Sequence, residues 1–374
     1  MKKLPLGIQN FRKIIEGGYI YIDKTRYIYD LINDASYCFL SRPRRFGKSL
    51  FLDTIGEVFG GDKELFKDLW IYGSDYEFIQ HPVIRLDMSN ISNKSPEAFE
   101  ASLAVELRRI ISYEELVIAD ESPSDIFKNL IASLYNKYNK RVVVLIDEYD
   151  KPILDHIQNY AIADGNRQVL RGFYGILKSM DKYLEFSFIT GVTKFTKSSI
   201  FSGLNNLTDI TMAEKYANVC GIPVENLDEC CGEYITSLAT HKNFKHYDSI
   251  HDEILSWYDG YSWDGESRLL NPFSLFNFFD QKRFAGFWYA SGTPRFLPNM
   301  IKNKPETYTN LKSFEITEHM LDSVDIDKLS LEPLLFQTGY LTVKEIQILQ
   351  DEPVYILEMP NTEVKRALSR ILRR

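Results

Sequence analysis

RPRRFGKS, residues 42–49, is the stretch of sequence that decides the fold. It resembles the phosphate-binding loop G-x-x-x-x-G-K-[ST], a motif that requires a strand before it and a helix after it. Apolar residues predict a strand over residues 37–40, and apolar residues at helical spacing predict a helix over 50–59. In such a loop, backbone N–H groups and the positive end of the helix dipole attract phosphate. The stretch therefore predicts a nucleotide site in an α/β domain.

The loop residues carry separate expectations. We expect Lys48 to reach the β and γ phosphates and Ser49 to bind Mg²⁺, while Gly47 allows the backbone to approach a phosphate closely. The motif's first glycine is replaced by Arg42, and Pro43 lacks a backbone donor. The alternative is therefore a chance GKS sequence at a strand–helix junction. The predicted nucleotide contacts are Arg44, Arg45, Phe46, Gly47, Lys48, Ser49 and Leu50.

Four positive charges fall within seven residues of this loop, at Arg42, Arg44, Arg45 and Lys48. A loop between a buried strand and a helix rarely collects such charge without an anion, and charge-assisted hydrogen bonds to phosphate are strong. We expect Arg45 to contact the nucleotide. For Arg42 and Arg44, pairing with a neighbouring acid is an equal alternative.

A second motif begins at RVVVLI, residues 141–146, which predicts a strand buried on both faces of a parallel sheet. Two carboxylates follow the strand directly. We expect Asp147 to hold Mg²⁺ and Glu148 to polarise the attacking water. Strands also end in acidic turn residues for no catalytic reason, but the phosphate loop and the acidic strand occur in the order that an ATPase requires.

An extra strand, predicted over residues 83–88, lies between the two motifs in the sequence. This pattern matches the additional-strand class of P-loop NTPases, in which a Glu beside the metal-binding Asp serves as the base. In that class a polar residue at the end of the following strand senses the γ-phosphate. Thr190 and Thr193 follow the strand predicted over 184–189, and we take Thr190 as a catalytic candidate. Because threonine is common in strands, an ordinary strand end is the alternative.

The rest of the chain predicts two further parts. A fifth strand is predicted over residues 207–212, after which the pattern becomes mainly helical, at 227–240, 250–257, 272–279 and 296–302. A helix over 329–338, ended by Gly339, and strands over 340–345 and 354–358 are typical of a winged helix. We expect an ATPase core over 1–215, a helical lid over 216–305, and a winged-helix-like segment with a basic tail over 306–374.

Composition limits the class of protein. The chain has 374 residues with a net charge of −8, and 14% of its residues are aromatic, which excludes a disordered chain. No apolar run reaches the length of about 18 residues that spans a bilayer, and the N-terminus lacks the apolar region of a signal peptide. We expect a cytoplasmic protein with no membrane partner, whose four cysteines are reduced thiols.

Eight motifs, in chain order, resemble the bacterial AAA-ATPase-like family, relatives of the AAA and STAND NTPases. They are LPLGIQNF…YIDKT, RPRRFGKS, VVVLIDEYDKP, ITGVTKFTKSSIFSGLNNLTDIT, WYDGYSW, LNPFSLFNFF, SGTPRFL and LLFQTGYLTVK. The family's own loop reads RPRRFGKS, so Arg42 is not a degeneration of the motif. The resemblance implies binding of ATP by Arg45, Gly47, Lys48 and Ser49, with Asp147 and Glu148 as the hydrolytic carboxylates. For Ile22-Asp23-Lys24-Thr25 it implies no firm role, and we place that block near the adenine.

Longer members of that family continue into a PD-(D/E)xK nuclease-like domain, whereas this chain ends at Arg374. Glu363-Val364-Lys365 fits the E-x-K part of such a motif, but it lies in a helix-like stretch without a preceding acidic strand. We expect a solvated helix face there, and no nuclease activity in this chain.

Three functions remain open. The first is an Mg²⁺-dependent ATPase whose hydrolysis switches the lid and C-terminal parts. The second is a nucleotide-gated interaction module with slow or no turnover, because no arginine finger is identifiable; its partners would be ATP or ADP and a protein client or a second copy. The third is nucleic-acid binding through the basic tail. Residues 306–358 carry eleven acidic and three basic residues, so the winged-helix-like part is expected to repel phosphates.

Overall fold

The computed structural model describes residues 1–119, 122–195, 200–201, 204, 206–240, 244, 246–292, 297–302, 313–318, 321, 324 and 330–373. Its centre is a five-stranded parallel sheet with the strand order β2-β3-β4-β1-β5. The strands of this sheet are β1 (Tyr37–Ser41), β2 (Val83–Asp87), β3 (Val142–Asp147), β4 (Leu184–Gly191) and β5 (Thr208–Asp209).

Helices cover the sheet and continue beyond it. Those of the first part of the chain are α1 (Phe11–Glu16), α2 (Thr25–Asp34), α3 (Lys48–Gly60), α4 (Pro96–Tyr113), α5 (Pro123–Tyr138), α6 (Lys151–Leu154) and α7 (Tyr160–Ser179). Those of the second part are α8 (Leu227–Ala239), α9 (Tyr247–Tyr258), α10 (Pro272–Gln281), α11 (Phe287–Gly292), α12 (Leu297–Lys302), α13 (Leu331–Gln337) and α14 (Thr362–Arg373). None of the helices within the described ranges has the length and apolar character needed to cross a membrane.

The strand order confirms the additional-strand fold but changes which strand separates the two motifs. Between the motifs in the sequence lies β2, yet in the sheet β2 is an edge strand. The strand that lies between β1 and β3 is β4, whose residues Ser187 to Gly191 pair with all of β1. Because all five strands are parallel, the phosphate loop, Asp147 and Thr190 reach the same edge of the sheet.

The fifth strand is much shorter than the predicted range 207–212. Only Thr208 and Asp209 pair with β1, because side chains take the backbone groups that a longer ladder would use. The Ser41 N–H donates to Thr211 Oγ1 at 3.0 Å, and Arg42 Nη1 donates to the Thr211 carbonyl at 2.7 Å. These contacts end the strand and attach the phosphate loop to the chain that leads into the lid.

The lid helices form their own small core. Cys231 of α8, Ile254 of α9 and Phe278 of α10 belong to a hydrophobic cluster separate from that of the sheet. A two-stranded antiparallel pair, β6 (Ile222–Pro223) with β7 (Leu269–Leu270), joins this part to the core. The boundaries at 215/216 and 305/306 stay a prediction.

The winged-helix-like part follows the predicted order. Helix α13 ends at Gln337 with Thr338 as its C-cap residue, and Gly339 (φ +90°) has no room for a side chain because a Cβ would lie 2.9 Å from Pro43. An antiparallel sheet follows, with β10 (Glu352–Glu358) between β8 (Phe314–Thr317) and β9 (Thr342–Leu349). The hairpin turns at Gln350 and Asp351, both with positive φ. Buried residues of this part join the hydrophobic cluster of the parallel sheet.

One expectation about the C-terminus, the solvated helix face at Glu363, is wrong. The basic tail is a packed helix, α14, whose apolar residues Val364 and Leu368 are buried. Glu363 is completely buried rather than on a solvated face: it accepts hydrogen bonds from Ser274 Oγ and from the Trp288 N–H, both at 2.7 Å. A carboxylate with these partners joins α14 to α10 and α11, and the sequence motif around it has this structural role.

Replacing Glu363 with glutamine is expected to remove a pH dependence of stability. Burial raises the pKa of this carboxyl from 4.5 to about 7, so the folded chain binds a proton that the unfolded chain releases between about pH 4.5 and 7. The contribution of Glu363 to the free energy of unfolding therefore falls as the pH rises through that window, by on the order of 3 kcal/mol. Chemical denaturation of both chains at several pH values checks this. The difference in free energy of unfolding, wild type minus variant, should decrease toward pH 7, and a difference independent of pH would contradict the assignment.

Candidate functional site

The phosphate loop leads from β1 into α3 with two residues in the left-handed region. Arg45 has φ +68° and Gly47 has φ +98°; glycine adopts this conformation freely, whereas arginine does so only under constraint. Helix α3 begins at Lys48 with Gly47 as its N-cap residue. The first turn of a 13-residue helix therefore faces the loop, with its N–H groups and the positive end of its dipole directed toward an anion site.

The Lys48 side chain is folded back onto the loop. Its Nζ donates to the carbonyl oxygens of Arg42 at 3.0 Å and Pro43 at 3.2 Å, and the residue is only 5% exposed. The ammonium group thus lies within the curve of the loop that a phosphate would occupy. A bound phosphate would exchange these neutral carbonyl acceptors for anionic ones, which form stronger hydrogen bonds.

In the part of the chain that the structure describes, Arg42 forms no ion pair with an acid and does not line the cavity beside the loop, which differs from both alternatives considered for it. Its guanidinium is fully buried and donates to four backbone carbonyls, those of Ser41, Thr211, Tyr216 and Ala217. It lies 4.1 Å above the ring of Trp263. Burial lowers the pKa of Arg42 to about 10. The residue that replaces the motif's first glycine therefore fastens the loop to the start of the lid.

Replacing Arg42 with methionine is expected to destabilise the chain by about 3 kcal/mol or more, because several buried carbonyls lose their donor at once. Thermal and denaturant unfolding measure the loss. Arg171, an exposed arginine on α7, provides the matched control, and Arg171→Met should leave the free energy of unfolding nearly unchanged. Equal stability of the two variants would contradict the role assigned to Arg42.

The acidic edge, formed by Asp147 and Glu148 after β3, is the same edge of the sheet at which the loop leaves β1. Asp147 is 8% exposed, and its Oδ1 accepts hydrogen bonds from the Glu148 N–H at 3.0 Å and from Thr190 Oγ1. Glu148 adopts φ +50°, a conformation that costs a non-glycine residue about 1–3 kcal/mol and that occurs often at functional sites. Thr190 is completely buried and holds Asp147. Its role as a sensor of the γ-phosphate stays a prediction.

A cavity of about 390 Å³ lies between the loop and this acidic edge, a volume typical of ligand sites. Its walls come from the N-terminal segment, the phosphate loop, the turn after β3 and the first turns of α10. The Arg45 guanidinium lies 4.9 Å from the ring of Phe273 on the lid side. The lining residues are Pro5, Gly7, Ile8, Gln9, Arg44, Arg45, Gly47, Lys48, Ser49, Leu50, Glu148, Lys151, Pro272, Phe273 and Phe276.

A smaller, mostly apolar cavity of about 80 Å³ adjoins the first and shares Gly47, Leu50 and Phe276 with it. Its other walls include Phe46 and the segment from Ile20 to Lys24. Lys24 Nζ donates to the Asn218 carbonyl at 2.6 Å, and burial lowers the pKa of Lys24 to about 8. A charged cavity beside an apolar one matches a ligand with an anionic end and a flat apolar end.

The metal ligands proposed from the sequence line a common space. Ser49 and Asp147 both border a polar cavity of about 330 Å³, which meets the larger cavity at Ser49. A hydroxyl and a carboxylate are hard oxygen donors of the kind that Mg²⁺ prefers. Asp87, the register partner of Asp147, also borders this space, but its two oxygens already accept from Ser89 N and Asn90 Nδ2. The residues present therefore fit Mg²⁺ through Ser49 and Asp147.

The structure brings most of the predicted site residues together. Arg44, Arg45, Gly47, Lys48, Ser49, Leu50 and Glu148 line the larger cavity. Phe46 does not: its ring packs on Tyr261 and Trp263 and borders the apolar cavity instead. Sequence reasoning did not identify Lys151, Gln9 or Phe273. The DEYDKP motif already contained Lys151, three residues after Glu148, but no pattern in the sequence shows that this lysine faces the loop.

The lid contacts the loop directly through Trp288 of α11. Trp288 Nε1 donates to the Arg44 carbonyl at 3.1 Å, and the same residue donates its backbone N–H to Glu363. The Trp288 ring also packs on Tyr340 with centroids 5.1 Å apart. One side chain thus joins the phosphate loop to α11, α14 and the winged-helix-like part.

Two solved structures align weakly with this chain. The Aeropyrum pernix ORC2 protein, solved as ADPNP–ADP complexes, gives a TM-score of 0.35 with 10% identity over 97% of this chain and 99% of that chain. A chain of Drosophila ORC bound to GC-rich DNA and Cdc6 gives 0.30 with 13% identity, over 78% of this chain and 44% of that longer chain. Because both scores are low, the fold assignment rests on the strand order and the loop geometry.

Comparisons of the amino-acid sequence give stronger matches than these structural alignments. A protein of Azotobacter chroococcum mcd 1, described as an uncharacterized protein in the vnfD 5′ region, is 38% identical over 374 residues, and the match covers 99% of this chain and 70% of that protein. A family model described as predicted AAA-ATPase matches residues 5–201, which include the phosphate loop, the acidic edge and Thr190. With this match over more than half of its length, the chain belongs to the predicted AAA-ATPase family.

Proposed function

We propose that this chain binds ATP with Mg²⁺ in the larger cavity and hydrolyses it to switch the lid and the C-terminal part. The observation that carries the proposal is that one cavity is lined both by the phosphate loop, with Lys48, and by Glu148. The neighbouring apolar cavity gives a place for the heterocyclic base of the nucleotide. ATP and ADP are therefore the proposed partners of the site.

Each residue has a role that its position supports. Lys48, Arg45 and the first turn of α3 bind and orient the phosphates. Ser49 and Asp147 would hold Mg²⁺, which when bound neutralises phosphate charge, and Thr190 fixes the orientation of Asp147. Glu148, which lines the same cavity, accepts a proton from the attacking water.

The proposed switch follows from the contacts of the loop with the rest of the chain. Arg42 ties the loop to the start of the lid, and Trp288 ties it to α11 and α14. A rearrangement of the loop around a phosphate would change the partners of both. The same contacts favour the second candidate function, a nucleotide-gated interaction module with slow turnover, because gating requires only the bound and free states.

Phosphate release measured with purified chain, ATP and Mg²⁺ at several protein concentrations tests the proposal and separates the two functions. Hydrolysis that requires Mg²⁺ and is lost in EDTA supports the ATPase. A rate per chain that rises with protein concentration indicates a catalytic group supplied by a second copy. Tight binding of ATP without phosphate release supports the gated module instead, and the absence of nucleotide binding contradicts both.

A further inference from the structure

Lys151 is a cation of the larger cavity that the proposed function leaves without a role. It follows the turn after β3, three residues beyond Glu148, and both side chains line the same cavity. Lys151 Nζ lies 3.1 and 2.8 Å from the two carboxylate oxygens of Asp155, one helical turn later. The two side chains are 25% and 35% exposed, so solvent weakens this ion pair and the lysine can leave it.

Asp155 is the fixed member of the pair. Asn93 Nδ2 donates to Asp155 Oδ2 at 3.0 Å, and Asn93 is itself held by Asn166 Nδ2 at its carbonyl, at 2.9 Å, and by His156 at its side chain. Burial acts to raise the pKa of Asp155, but hydrogen bonds from Lys151 and Asn93 and the charges of Lys151 and Arg44 outweigh it, and the pKa lies below its ordinary value. A fixed, ionised carboxylate therefore faces a lysine on a flexible four-carbon stem.

Arg44 is a second cation of this cavity that acts on Asp155. Its side chain lines the cavity, yet its Nε is buried without a hydrogen-bond partner in the part of the chain that the structure describes. Its charge acts on Asp155, but no ion pair joins the two within the described residues.

The charge of the cavity lining favours an anionic ligand. Among the residues that the structure describes, four cationic side chains and one carboxylate, that of Glu148, line the cavity; the cations are Arg44, Arg45, Lys48 and Lys151. Lys48 lies on the loop side, where the first phosphates are expected. Lys151 lines the same cavity as Glu148, three residues later in the chain, and Glu148 is proposed to position the attacking water at the terminal phosphate.

We propose that Lys151 binds the terminal phosphate of a nucleoside triphosphate, and that Asp155 holds Lys151 when this phosphate is absent. The inference rests on the proposed function and adds to it a residue that distinguishes triphosphate from diphosphate. Loss of the terminal phosphate returns Lys151 to Asp155. The ion pair thus reports the state of the nucleotide within a single chain.

Calorimetric titration with ADP and with a non-hydrolysable ATP analogue, both with Mg²⁺, tests the proposal. Lys151→Ala should lower the affinity for the ATP analogue by about tenfold or more, which is the contribution of one charge-assisted hydrogen bond. The affinity for ADP should stay within about twofold of the wild-type value. Lys151→Arg should restore most of the affinity for the analogue. Asp155→Asn should increase the affinity for the ATP analogue but not for ADP, because the carboxylate that competes with the terminal phosphate for Lys151 is removed.

Lys137→Ala is the matched control, since Lys137 Nζ lies 3.1 Å from Glu114 Oε2 in an ion pair remote from the cavity; neither affinity should change. A Lys151→Ala variant that loses both nucleotides equally, or neither, overturns the proposal while nucleotide binding by the wild type still supports the function. Binding of neither nucleotide by the wild-type chain overturns both.

Discussion

Replacing Glu148 with glutamine is expected to slow ATP hydrolysis by about 100- to 10,000-fold, the usual contribution of a general base, while ATP still binds. Glutamine has the shape of glutamate but accepts no proton from water. The contact of the residue 148 N–H with Asp147 Oδ1 belongs to the backbone and is therefore retained. Single-turnover phosphate release gives the rate, and titration of the same variant with ATP gives its affinity.

The chain offers a closely matched control. Glu115 is exposed, lies outside the site and has φ +53°, nearly the same left-handed backbone as Glu148 at +50°. Glu115→Gln should hydrolyse ATP at the wild-type rate. If Glu148→Gln does the same, Glu148 is not the base.

Replacing Lys48 with alanine is expected to weaken ATP binding by about 100-fold or more. The ammonium group is proposed to contact two phosphates, and each hydrogen bond to a charged group contributes about 1.5–3 kcal/mol. ADP should lose affinity as well, because the β-phosphate remains in that nucleotide. Titration with both nucleotides measures the effect.

The Lys48 variant requires a measurement of folding, because Lys48 Nζ also holds the carbonyls of Arg42 and Pro43. Circular dichroism and thermal unfolding show whether the loop change spreads to the core. Lys128→Ala removes an exposed lysine of α5 and should bind ATP as the wild type does. A folded Lys48→Ala chain with unchanged affinity would remove the phosphate-loop assignment.

The elements that position the site could be predicted because each has a strong local pattern. The run from Val142 to Ile146 predicts a buried strand on composition alone, and Asp147 and Glu148 follow it directly. The GKS sequence occurs at a strand–helix junction, and α3 begins at Lys48 as the motif requires. The positions of this strand, loop and helix follow from patterns within a few residues, so they do not depend on partners that are distant in the sequence.

Residues whose partners are distant in the sequence could not be predicted. Arg42 and Arg45 look alike in the sequence, yet one is fully buried against Thr211 and Trp263 and the other is exposed in the cavity. The direction of each side chain depends on its contacts with residues that lie more than 160 positions later in the sequence. The same holds for Glu363, which the sequence places on a helix but whose partner Ser274 is known only from the fold.

Thr190 and Lys151 show a finer limit. The sequence places Thr190 at the end of β4, at the correct edge of the sheet, but its hydroxyl contacts Asp147. Lys151 belongs to an i, i+4 pair with Asp155, which in the sequence is typical of a solvated helix surface. Only the structure shows that the lysine of this pair lines the cavity, so the sequence alone does not indicate its role.

This chain is proposed to bind a nucleoside triphosphate at the phosphate loop. Equilibrium dialysis of the folded wild-type chain against labelled ATP and Mg²⁺, with unlabelled ADP as competitor, tests it most directly. We expect saturation at one nucleotide per chain, with the label displaced by ADP. A folded chain that retains no label at any concentration of ATP would contradict nucleotide binding at the phosphate loop.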